Sequence, residues 1–218
     1  MKKLSLLLVV FSLTIASIAQ SEKYQAAMKA KVESLDSIKS ATEWIDAANA
    51  FERIAEAEKN QWLPYYYAAL GQVMNGYMQG SSGAPTGADK TDPLADKAEQ
   101  LLLKAEALTN ENSEIFILKK MIATLRMMAD PMNRYQTYGP QAAEALQQAK
   151  KLNPENPRVY YLEGQDKFYT PEEFGGSKTE AKALFEESMK KYAAFKPEST
   201  IHPQWGLMQV KYFYSQFK

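Results

Sequence analysis

The chain has 218 residues, with 26 basic and 26 acidic side chains, one histidine and no cysteine. That balance gives no electrostatic pull toward nucleic acid or an anionic membrane. It also excludes thiolate catalysis, cysteine-ligated zinc, disulfide support and any site built from several histidines, so apolar burial alone must hold the fold.

The first segment, MKKLSLLLVVFSLTIASIAQ, places Lys2 and Lys3 before an apolar run from Leu4 to Ile18, with small residues at Ser17 and Ala19. This is the pattern of a secretory signal peptide and is short for a membrane span. The expected organisation is therefore a signal peptide over 1–19 and one helical-repeat domain over 20–218, with a flexible Gly/Ser-rich loop at 80–92. The mature chain is expected in the periplasm or cell envelope, or outside the cell, and not to span a membrane.

After residue 20 the apolar residues recur at three and four, the period of a helix with one buried stripe. Ser40-Ala-Thr-Glu43, Thr170-Pro-Glu-Glu173 and Ser177-Lys-Thr-Glu180 each fit a capping box, in which the hydroxyl accepts from the third helical N–H and the acid reaches back. Pro93, Pro140, Pro157 and Pro203 each suit a first helical position, where a missing N–H costs nothing. These signals predict nine helices near 22–38, 42–59, 63–79, 93–109, 113–129, 140–152, 157–168, 178–195 and 204–216.

Two glycine-rich stretches invite comparison with phosphate-binding loops. In EEFGGSKTE, Lys178 follows a serine and no glycine sits five residues before Gly176; in GAPTGADK, Lys90 is three residues past Gly87. Neither has the Gly-x-x-x-x-Gly-Lys-Ser/Thr spacing, and no strand precedes either, so both read as turns.

Above the helices lies a second regularity. Ala47, Phe51 and Ile54 share a spacing with Ala98, Leu102 and Ala105, with Ala142, Leu146 and Ala149, and with Ala181, Phe185 and Ser188. A different helix follows each: Tyr67-x-x-Leu70-Gly71-x-x-Met74, Ile115-x-x-Leu118, Tyr160-x-x-Glu163-Gly164 and Trp205-x-x-Met208. Small residues let two antiparallel helices approach, and the large one a turn later fills the groove of the next pair.

Together these motifs resemble the tetratricopeptide repeat, over residues 40 to 218. The resemblance implies an all-α solenoid of antiparallel helix pairs, since one pair cannot bury its own apolar face. Glu163 and Lys167 stand where the family prefers apolar residues, and Lys119 and Gln209 replace a small one. The steps from Tyr67 to Leu102, Ile115 to Leu146 and Tyr160 to Phe185 are all longer than the family's, which places enlarged loops on one edge of the stack.

By the family's register, the concave groove is expected to carry Tyr65, Gln72 and Asn75, then Phe116 and Lys120, then Arg158, Tyr161, Gln165 and Phe168. That mixture of rings, amides and cations suits a protein or peptide partner. His202, in IHPQW, has no nucleophile or paired carboxylates beside it, and Asp89 with Asp92 lacks calcium-loop spacing. No catalytic residue, metal site or cofactor is expected. The sequence therefore reads as a non-catalytic protein- or peptide-binding scaffold. The alternatives are a small-molecule receptor with a closed aromatic pocket, or a structural subunit of an envelope complex.

Overall fold

A computed structural model describes residues 22–80 and 87–217. The signal-peptide segment and residues 81–86 of the expected loop lie outside them. The described residues hold nine α-helices and no strand: α1 (22–34), α2 (Ala41–Glu58), α3 (Trp62–Gly80), α4 (Ala88–Ala107), α5 (Ser113–Met128), α6 (Pro131–Leu152), α7 (Pro157–Tyr169), α8 (Lys178–Ala194) and α9 (Leu207–Ser215). None of the described helices is long and apolar enough to cross a membrane. Among α2 to α9, each helix packs mainly on its neighbours in sequence, as an all-α helical repeat requires.

The caps explain most of the helix starts. Ser40 Oγ accepts from the Glu43 amide at 3.2 Å while Glu43 accepts from the Ser40 amide at 3.0 Å, a closed capping box. Ser177 accepts from the Glu180 amide at 3.2 Å, and Asn156 caps α7 just before Pro157. The turn before α8 is a turn indeed: Gly175 has φ 90°, a backbone region that favours glycine, and Lys178 Nζ donates to the Phe168 carbonyl at 2.6 Å.

Three predicted starts shift. Helix α4 begins at Ala88, so Pro93 lies inside it, and α6 begins at Pro131, so Pro140 lies inside it. The Asp92–Arg134 pair joins these two early turns and helps hold them helical. Thr170 opens no helix: it is the C-cap of α7, its amide donating to the Asp166 carbonyl, and only a 3-10 turn, Glu172–Phe174, follows it, with Pro171 at its cap position. Finally α9 starts at Leu207 rather than 204, because 195–206 runs as an irregular strap.

The core is continuous through the stack. Phe51 stacks on Tyr67 with centroids 4.9 Å apart, and Phe185 stacks on Phe213 at 5.4 Å. A polar network crosses it. The Glu114 carboxylate accepts from Arg158 Nε at 2.9 Å and Nη2 at 2.6 Å, from Asn156 Nδ2 at 2.6 Å and from Tyr66 Oη at 3.0 Å. Burial alone would pull the Arg158 pKa down; the charge and hydrogen bonding of Glu114, together with the nearby Tyr192 and Tyr66, outweigh it and hold it above the ordinary arginine value. A buried pair with all its neighbours satisfied in this way escapes most of the cost of an unpaired charge.

Candidate functional site

Helices α4 and α6 each pack on α5 and hardly on one another, which leaves a groove above α5. The repeat pattern creates it. Alanines face the partner helix at Ala98, Ala105, Ala142 and Ala149, so the residues one step round, Leu102 with Leu103 and Glu144 with Ala145, turn toward the gap. From α5, the i, i+3, i+7, i+10 stripe of Phe116, Lys119, Ala123 and Arg126 faces the same space.

The groove holds about 340 Å³, within the usual range for ligand pockets. Its floor is apolar: Leu102 and Ile122 are buried, and Ala123 and Ala145 are too small to fill it. Leu103 stands in its wall 56% exposed, a large apolar side chain left open to solvent. Two cations mark the rim. Lys119 Nζ lies 2.6 Å from Glu106 and 4.8 Å from the Phe116 ring centre. Arg126 donates to Asp96 at 2.7 Å and Glu99 at 2.8 Å. Burial lowers the Arg126 pKa, yet those carboxylates more than reverse the effect and keep it charged.

A second cavity, about 550 Å³, lies between the end of α1 and the strap. Tyr67, Trp205, Val32 and Leu35 give it apolar walls, while Glu33 and Asp36 make its mouth acidic. Among the described residues no group of three or more histidine, cysteine, aspartate or glutamate side chains is placed to hold a metal.

The nine residues expected on a concave groove have other surroundings. Phe116 lines the α4–α5–α6 groove. Tyr65, Gln72 and Asn75 are buried in α3, with Lys104 Nζ 5.5 Å from the Tyr65 ring and Asn75 accepting from Gln79 at 2.8 Å. Lys120 is 2% exposed and bonds Asp166 at 2.7 Å. Arg158, 1% exposed, belongs to the network around Glu114, and Tyr161 packs on Phe213 at 6.1 Å. Gln165 and Phe168 are half-buried, and Phe168 lies 5.6 Å from both Phe213 and Phe217. These residues are thus mostly interior. Leu103, Lys119 and Arg126 were not among the expected site residues; the signal was the Leu101-Leu102-Leu103 run, which one buried helix face cannot absorb whole.

No protein-family model matches the sequence, and no curated protein matches it. Among solved structures, the HusA haemophore from Porphyromonas gingivalis is similar, with a TM-score of 0.78 and 36% identity over 89% of this chain and 92% of that one. Identity at that level along nearly the whole of both chains goes beyond shared topology, and the chain belongs to the family of the HusA haemophore.

Proposed function

We propose that this protein is an exported, non-catalytic carrier of tetratricopeptide type, which holds a flat, mostly apolar small molecule of the haem kind in the α4–α5–α6 groove. The observation that carries this reading is the open apolar wall at Leu103 and Phe116 above a floor of Leu102, Ile122, Ala123 and Ala145, in a chain akin to a haemophore. The small-molecule alternative thereby fits better than the peptide scaffold that the repeat pattern alone favours. The groove lining holds no histidine, methionine or tyrosine, and the single histidine lies on the strap, with its ring 5.9 Å from that of Trp62. Binding in the groove therefore rests on apolar contact and burial of a ring face. Export rests on the N-terminal pattern of two lysines and an apolar run.

The test is titration of the purified protein with haem, followed by the haem absorbance band and quenching of tryptophan emission. Leu103 is exposed, so Leu103→Asp should leave the melting temperature nearly unchanged and weaken haem binding by tenfold or more. Equal affinity of the two proteins would remove the groove as the site, and no binding by either would remove the function.

A second reading, docking of a protein partner, has its own support in Tyr169, Phe174, Met208 and Tyr212, exposed side chains near the C-terminal end of the array. A carrier that delivers its load to another protein uses two such surfaces.

A further inference from the structure

We infer that Lys119 and Arg126 are the specificity determinants of the groove, a pair of cations that select an apolar ring bearing two acidic side chains over the same ring without them. The inference rests on the proposed binding of a haem-like molecule and adds which chemical form of it is chosen.

The geometry comes first. Both cations stand on α5, seven residues apart, so they lie on one face about 10.5 Å apart along the helix axis. Both line the groove, and the apolar residues Ile122 and Ala123 sit between them. A flat molecule laid on that floor would have two separated positive points along one edge.

Charge balance comes second. The groove lining carries two carboxylates, Glu99 and Glu144, and two cations, Lys119 and Arg126. Asp96 and Glu106, which pair with those cations from just outside the lining, make the immediate surroundings net acidic, so a dianion enters only by taking Lys119 and Arg126 over from their present partners. A neutral ring gains nothing from either set.

Donor capacity comes third. The Lys119 ammonium has three donors and the Arg126 guanidinium five. Glu106 takes one contact from Lys119, and Asp96 and Glu99 take Nη1 and Nη2 of Arg126. The side chains of Asp96 and Glu99 are each 58% exposed, while that of Arg126 is only 14% exposed. Exposed acids of this kind hold a cation weakly, because water competes for them. They therefore keep the guanidinium aimed at the groove and give way readily to a ligand carboxylate, which is desolvated on one side by the apolar floor and binds a charged donor more strongly.

The experiment compares haem with haem dimethyl ester, in which both acidic groups are capped, each added from the same dimethyl sulfoxide stock to the full chain. Lys119→Gln and Arg126→Gln should each weaken haem binding about tenfold and leave ester binding within twofold. The opposite change, Asp96→Asn with Glu99→Gln, removes the competing acids and should tighten haem binding while the ester is unaffected; a variant that merely damaged the fold would not do this. Added salt should weaken haem binding to the unaltered protein and not ester binding. Parallel loss of both ligands, or no change for either, in the Lys119 and Arg126 variants overturns the inference while the groove itself stands. If the unaltered protein binds neither ligand, the function proposed above falls, and this inference with it.

Discussion

Asp92 and Arg134 meet as a two-pronged pair, with Nη1 2.6 Å from Oδ1 and Nη2 2.8 Å from Oδ2, and Arg134 also donates to the Arg126 carbonyl at 3.1 Å. The hydrogen bond from Arg134 holds the Asp92 carboxyl below its usual value, against the opposing effect of partial burial. A carboxylate with a depressed folded-state pKa contributes stability that is present above the unfolded value, near 3.9, and is lost as pH falls through the folded one. Asp92→Asn should therefore lower the melting temperature at neutral pH, and its deficit should shrink as both proteins are taken below about pH 4. A deficit that stays constant into acid would show that the contact acts through shape alone. Glu114 and Arg158 pose the same question in the interior, where water cannot rescue a stranded charge. Arg158→Met leaves the Glu114 carboxylate with only Asn156 and Tyr66 as partners and should cost roughly 3–5 kcal/mol, read from the urea midpoint. An unchanged midpoint would mean that the network contributes nothing net.

At the scale of helices, the close approach of α2 and α3 depends on a missing side chain. A Cβ placed on Gly71 would lie 2.8 Å from Ala48 Cβ and 3.0 Å from the Trp44 carbonyl oxygen, both held by rigid backbone. Alanine favours a helix over glycine by about 0.8–1.0 kcal/mol, but overpacking a tight interface costs typically 1–3 kcal/mol. Gly71→Ala should thus be destabilising in thermal unfolding, whereas a rise in melting temperature would show that the two helices can slide apart freely. The same contact shows what could be read from the chain beforehand. Gly71 belongs to a local pattern with period three and four, and so do the nine helices and their order, but the alanine it meets is Ala48 rather than the expected Ala47. Of the expected start signals only Ser40, Ser177 and Pro157 stand where the sequence placed them. The starts of α4 and α6 were less visible, because Pro93 and Pro140 each look like first-turn residues. Asp130-Pro131 is an equally good cap signal, and the Asp92–Arg134 pair that supports both early turns spans 42 residues. The site was least visible of all. The expected groove residues were placed by family register, but Lys120 and Arg158 found partners 46 and 44 residues away, and no periodicity encodes such pairings. The groove that does exist was written more plainly, in three consecutive leucines.

Across the whole molecule, one segment breaks the nearest-neighbour rule of a helical array. Repeat proteins fray from their ends because each unit touches only the next. Here the strap at 195–206 reaches back from the C-terminal pair to α3: Tyr67 Oη donates to the Ile201 carbonyl at 3.0 Å, and Trp205 Nε1–H donates to Tyr66 Oη at 2.8 Å. Its far end is fixed to the last units, with Tyr192 Oη 2.6 Å from the Trp205 carbonyl and the Arg158 guanidinium 5.0 Å from the Phe195 ring and 5.6 Å from the Trp205 ring. The array is therefore clamped across helices α3 to α8, with the α4–α5–α6 groove inside the clamped span. A groove held in one shape has less freedom to lose when a rigid ring enters it. Loss of the clamp should appear first as loss of cooperativity. Trp205→Ala removes a large buried side chain, a change that typically costs 3–5 kcal/mol, but the cost should be uneven. Amide hydrogen exchange in α7 to α9 should accelerate well beyond that in α3 to α5, and a single denaturant transition should split in two. Equal acceleration in every helix, with one transition retained, would show that the strap is ordinary core and that the stack needs no tie between its ends.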